Sequence, residues 1–389
     1  MSTDLPTLRP LRMGEILDRA IRLYRRNFLQ FLGIIALVQV PLSLVQVAAS
    51  MLMVSGTFSR LERLLNNPAA TPEDPAEVFG QLFGPSYAAG ASLNGLITIL
   101  SFILVQGLAT AALTRVVGEH YLGNPTTGVL DAFRRIKGEW FSLLGALLLA
   151  LFLFLVLLIW WIFVPCLGWV SGLGLIAFLW LVIVPLLAPI IILEKQPATV
   201  AWRRAWNLAR RRFWWVFLFG LVLYAFNLLI VAGPAALIGS IGPLLGGDAV
   251  ADGSLLTLQT LIQSLATLVT SLLYLPLQVA AMTILYVDLR VRTEGLDLLL
   301  QAPDNGTATK GTTMEALPAG ELPLQTEAKT NFLTALAASA PVPSRQSLLT
   351  GTELGFFSLV TVGLGVLFAI FYGALISFIL ALGAALGGL

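Results

Sequence analysis

The chain has little charge, one histidine and one cysteine. Asp, Glu, Lys and Arg make up 11% of its 389 residues, where a soluble domain would carry roughly a quarter. Apolar residues make up 57% and the mean hydropathy is +0.88, so water is not the main solvent of this chain. The single cysteine, Cys166, excludes an intramolecular disulfide, and one thiol says nothing about redox chemistry. The only histidine, His120, excludes a His-cluster metal site. It also leaves any Ser-His-Asp arrangement resting on one residue, which reads as a solvated loop histidine. Ten-residue segments of alternating polarity, the mark of a membrane β-barrel, are absent as well. No cofactor, metal or nucleic-acid partner is expected.

What the sequence does contain is long uncharged apolar runs, near 28–54, 89–114, 140–164, 168–193, 213–239 and 259–287, with a longer one over 354–389. About 20 apolar residues cross the hydrocarbon core as a helix. The expected fold class is all-α, a polytopic membrane helical bundle with amphipathic interfacial helices. Its expected parts are an amphipathic basic helix at 1–27, a six-span membrane domain at 28–300, a flexible linker at 301–350 and a tethered C-terminal hydrophobic helix at 351–389. The linker reading rests on its Gly, Thr, Ala, Pro, Glu and Gln composition. The last run reads either as a span or as a re-entrant hairpin, since no nearby charge decides between them. The first 27 residues do not read as a signal peptide: they contain Asp4, Glu15 and Asp18 among arginines and lead into too long an apolar run. PCLG, at 165–168, reads as a tight helical hairpin turn. In the outward loop over 55–88, SRLERLLNN reads as a short amphipathic helix and PAATPEDPAEVF as a turn with another helix start.

Every Lys and Arg except Arg60 and Arg63 falls before span 1, between spans 2 and 3, between spans 4 and 5, or after span 6. Basic loops stay on the cytoplasmic side, so the expected orientation is N-terminus in, in a bacterial cytoplasmic membrane. Three of these basic stretches resemble one another: GEILDRAIRLYRRNF, GVLDAFRRIKGEWF and ATVAWRRAWNLARRRFWW. In each an alanine (Ala20, Ala132, Ala205) is followed by a cation five residues on (Arg25, Lys137, Arg210) and an aromatic eight on (Phe28, Trp140, Phe213), with a glycine further inside (Gly33, Gly145, Gly220). The pattern reads as a threefold repeat of surface helix plus span. In the first copy apolar and cationic positions fall on different faces, as in a helix lying in the interface, with Glu15–Arg19 and Asp18–Arg22 spaced for i,i+4 pairs. Arg22, Arg25, Arg134, Arg135, Lys137, Arg203, Arg204, Arg210 and Arg211 therefore form a candidate site for phosphate-bearing headgroups or an acidic soluble partner. The plainer reading is that they only anchor the helices and fix topology.

The spans carry amides (Gln39, Gln46, Asn94, Gln106, Asn227, Gln259, Gln263, Gln278) but no ionisable residue, which disfavours an ion-driven pump or voltage sensor. The amides read either as interhelical glue or as a substrate path. Pro185, Pro189 and Pro276 interrupt spans 4 and 6, and such kinks serve packing or line a cavity.

Three motifs in order, LRPLRMGEILDRAIRLYRRNF, LEKQPATVAWRRAWNLARRRFW and YVDLRVRTEGLDL, resemble the membrane domain found beside some bacterial glycerophosphoryl diester phosphodiesterases. The resemblance covers residues 8–300 and implies the membrane part alone, since the related enzymes carry their chemistry in a separate soluble barrel. No catalytic residue carries over. Read physically, the last motif pairs Asp288 with Arg292 and Arg290 with Glu294 at i,i+4 and then offers Gly295 as a helix end. The expected function is a non-enzymatic membrane scaffold or accessory protein. The alternative is a transporter or lipid translocator using kinked spans 4 and 6.

Overall fold

The computed structural model describes residues 10–66, 85–121, 128–164, 167–244, 253–295, 350–367 and 369. Among the described residues there is no strand. Six helices are long and apolar enough to cross a membrane, so the chain is a multi-pass membrane protein. The helices in chain order are α1 (Met13–Arg26), α2 (Phe28–Asn66) and α3, which joins Pro85–Ile103 through a π-helical turn at Leu104–Ala109 to Thr110–Tyr121. Next come α4 (Val129–Arg135), α5 (Trp140–Phe163) and α6, which joins Leu167–Phe178 through a π-turn at Leu179–Ile183 to Val184–Glu194. After these come α7 (Ala198–Arg211) and α8, which joins Phe213–Asn227 through a π-turn at Leu228–Ala232 to Gly233–Leu244. The last two are α9 (Gly253–Glu294) and α10 (Gly351–Leu367).

Two boundaries differ from the expectation. No turn closes span 1, because α2 stays helical through Asn66; the PAATPEDPAEVF segment lies outside the described residues. Arg115, Glu119 and His120 are not in a loop but on the last turns of α3, where Arg115 Nε donates to Glu119 at 2.8 Å. His120 Nδ1 shares a 2.9 Å hydrogen bond with Val116 O, and its ring stands edge-on to Phe31. Pro165, Cys166 and residues 301–349 also lie outside the described residues, and with them most of the hairpin turn and the linker.

One topology is laid down three times. Each unit is a surface helix, an outer membrane helix and an inner return helix: α1–α2–α3, α4–α5–α6 and α7–α8–α9. The three inner helices pack on one another. Each outer helix packs on its own return helix and on that of the preceding unit: α2 on α3 and α9, α5 on α6 and α3, α8 on α9 and α6. Each surface helix likewise packs on the preceding unit's return helix: α1 on α9, α4 on α3, α7 on α6. The pattern closes into a ring. Ala20, Ala132 and Ala205, the repeat's marker alanines, are all fully buried against it, because only a methyl group fits where a surface helix crosses the bundle end.

Apolarity does not sort inner from outer helices, since lipid tails are as apolar as leucine. Small and polar residues do: Gln106, Thr110, Thr114, Ala188, Gln278, Ala280, Ala281 and Thr283 sit on inner helices, while outer helices turn Leu29, Phe141, Phe152 and Leu229 outward. At Gly220 a β-carbon would sit 2.8 Å from Leu181 O, so α8 and α6 touch through backbone. Three span amides bridge neighbouring helices: Gln39 Nε2 donates to Ser271 Oγ, Gln259 to Ile238 O and Gln263 to Ala235 O.

The C-terminal helix α10 docks on the bundle. Phe357 is buried among Phe178, Trp206 and Phe213, Gly174 N donates to Thr361 Oγ1 at 2.8 Å, and Glu353 faces Arg210 at 3.7 Å.

Candidate functional site

The surface helices gather at one end of the bundle and bring the charged groups with them. Each inner helix ends there in an acid that reaches the next unit's surface segment. Glu119 at the end of α3 accepts from Arg135 Nη1 of α4 at 3.4 Å. Glu194 at the end of α6 accepts from Arg204 Nε of α7. Asp288 near the end of α9 accepts from Leu11 N, just ahead of α1, at 2.6 Å. Three acid latches therefore hold three surface helices. Replacing Asp288 by alanine strands the buried Leu11 N–H and frees Arg292, and an expected loss of about 1–3 kcal/mol is checked by chemical denaturation in micelles.

The second latch extends into a buried ionic network. Lys195, Gln196 and Pro197 alone link α6 to α7, with Lys195 in the left-handed region at φ 54°, and this tight turn folds Arg204 back onto Glu194. The side chains of Glu194 and Arg290 are fully buried, that of Arg204 is 5% exposed and that of Glu294 10%. Arg204 Nη2 donates to Glu294 Oε2 at 2.8 Å, and Arg290 Nε donates to the same oxygen at 2.9 Å. Arg290 Nη1 lies 3.6 Å from Glu194 Oε1, and that oxygen accepts from Tyr286 Oη. Two acids and two arginines make the network neutral, which is what allows its burial. Burial works against the charge of Arg204, yet its bonds to Glu194 and Glu294 outweigh that and hold its pKa above the ordinary guanidinium value.

The motif at the end of α9 forms both expected pairs. Arg292 Nε donates to Asp288 Oδ2 at 2.7 Å alongside the Arg290–Glu294 bond, and Gly295 ends the helix at φ 63°. Asp288 and Arg290 are buried, and Arg292 Nη2 donates to Leu11 O while its guanidinium lies 5.1 Å above the Trp215 ring.

Of the nine predicted site cations, Arg22, Arg25, Arg134, Arg135, Lys137, Arg203 and Arg211 are exposed on the charged end. Arg22 pairs with Asp18 at 2.6 Å and Arg134 with Asp131 at 3.7 Å, exposed pairs that leave each cation in solvent. Arg204 is not a surface cation: a helical turn of 100° separates it from exposed Arg203, and it turns inward to Glu194. Arg210 is also withdrawn, with Glu353 beside it. Arg12, Arg26, Lys195 and Arg212 add four exposed cations that the expectation omitted.

Deeper in the bundle, a cavity of about 30 Å³ lies where the three inner helices meet. Gln106, Thr110 and Thr114 line it from α3, Pro185, Ala188 and Pro189 from α6, and Gln278, Met282 and Thr283 from α9, while the apolar Leu143 and Leu147 of the outer helix α5 close one side. The prolines and amides are each visible in the sequence, but nothing in their spacing joins Gln106 to Gln278. Comparison of the chain with protein-family models, with curated proteins and with solved structures finds no match.

Proposed function

We propose that this protein is a non-enzymatic scaffold of a bacterial cytoplasmic membrane that binds anionic lipid headgroups on its cytoplasmic, basic end, with the N-terminus on that side. The observation that carries the reading is the arrangement of exposed cations. Three surface helices, latched in a ring by buried acids, turn their alanines inward and hold arginines and lysines outward at one level. Each such cation near an anionic leaflet contributes about 1 kcal/mol. The likeness of three motifs to the membrane domain accompanying glycerophosphoryl diester phosphodiesterases agrees with a membrane part that works beside other proteins rather than as an enzyme.

The test uses the six exposed cations that hold no buried acid: Arg22, Arg25, Arg134, Lys137, Arg203 and Arg211, all changed to Gln. Binding of fluorescent phosphatidylglycerol to the purified protein is expected to weaken roughly tenfold or more at low salt, equal to about 1.4 kcal/mol. The difference narrows as the Debye length falls from about 30 Å to about 8 Å. Equal binding by wild type and variant at low salt removes the reading. Translocation is a second reading, favoured by the polar cavity between the interrupted inner helices; osmotic or tracer flux in proteoliposomes separates it from the first.

A further inference from the structure

The cavity at the meeting point of α3, α6 and α9 has the size, charge and lining of a site for one particular kind of molecule. A water site needs roughly 10–15 Å³ and two to four polar partners; this cavity has about 30 Å³. Its polar groups outnumber their protein partners. Thr110 and Thr283 donate along their own helices to Gln106 O and Val279 O, which leaves their oxygen lone pairs free to accept. Thr114 is fully buried, and its Oγ1 has no hydrogen-bond partner among the described residues. The Gln106 and Gln278 side chains complete the lining.

All three inner helices are also interrupted near this level: α3 by the π-turn at Leu104–Ala109, α6 by the π-turn at Leu179–Ile183 with Pro185 and Pro189, and α9 by Pro276. Prolines remove backbone donors, and in a bilayer the carbonyls they free are satisfied by neighbouring side chains or ordered water. The lining has no formal charge, and the buried ionic network at the bundle end is already balanced, two acids against two arginines. A cation placed here would be uncompensated, so the occupant is neutral. It must both donate and accept hydrogen bonds, because the lining sets threonine oxygens beside the Gln106 and Gln278 amides, which carry N–H donors as well as oxygens.

We propose that this cavity is a built water site, in which one or two water molecules bridge Gln106 and Thr114 of α3 to Gln278 of α9 and tie these two interrupted inner helices together. Water there lets α3 and α9 keep their bends without direct side-chain contact across the cavity.

Met282, 3% exposed and lining the cavity, is a built-in reporter. A brief X-ray pulse makes hydroxyl radicals from water in place, and a bulk radical scavenger suppresses radicals arriving from solvent. In the wild-type protein Met282 is expected to be oxidised under scavenger despite its burial, while Met13, half-buried and in reach of bulk solvent at the charged end, is protected. In Thr114→Val with Gln278→Leu the Met282 yield is expected to fall severalfold. Absence of Met282 oxidation in wild type overturns the proposal, and so does an unchanged yield in a folded variant. If the double variant does not fold, the wild-type yield decides alone, and Thr114→Val supplies the comparison.

Discussion

Replacing Arg290 by leucine is expected to lower the stability of the bundle by about 3–5 kcal/mol, because it leaves the buried pair Glu194 and Glu294 sharing the single charge of Arg204. The loss comes less from a missing attraction than from an uncompensated carboxylate. Removing Glu194 together with Arg290 restores the charge balance and keeps the 2.8 Å Arg204–Glu294 bond. The double variant Glu194→Leu with Arg290→Leu is therefore expected to cost less than the sum of the two single changes, with a coupling of about 1–3 kcal/mol. Denaturation of all four proteins in mixed micelles measures this directly. Additive costs would mean that the network does not act as a unit.

The change Gly174→Leu is expected to release the C-terminal helix while leaving the six-helix ring folded. A β-carbon at Gly174 would lie 2.2 Å from Phe357 O and 3.0 Å from its carbonyl carbon. The obstacle is backbone, so no side-chain rotation relieves it. The displaced helix then gives up the Phe357 pocket, and emptying such an aromatic site costs about 3–5 kcal/mol. With a protease site inserted within residues 301–349, the fragment beginning near residue 350 is expected to co-purify with the wild-type bundle after cleavage. It should separate from the Gly174→Leu variant. Co-purification from both would place the hold on α10 elsewhere.

How much of this was legible in the sequence depended on the range of the signal. The spans followed from uncharged length, and the pairs Asp288–Arg292 and Arg290–Glu294 from i,i+4 spacing, since both are local. The repeat was visible in its alanines because each surface helix meets the bundle in the same way. Glu194 carries no such local signal: in the sequence it is only the charge that ends an apolar run, and its partners Arg204 and Arg290 arrive from 10 and about 96 positions away. Arg203 and Arg204 are identical in type, and only the rotation of α7 sends one to solvent and the other to an acid. The docking of α10 was hidden for another reason. Its contacts rest on Gly174, Phe178 and Phe213, and nothing local to residues 351–367 names them. The cavity likewise joins Thr114 to Gln278, residues far apart in the sequence, a separation that no periodicity spans.

The most direct test of the central claim is native mass spectrometry of the protein released gently from its own membrane, recording bound lipids for wild type and for the six-cation Arg and Lys to Gln variant. The account predicts a defined anionic lipid retained by the wild type and lost or strongly reduced in the variant, with the ring still folded. Equal retention by both, or no retained anionic lipid on the wild type, would contradict it.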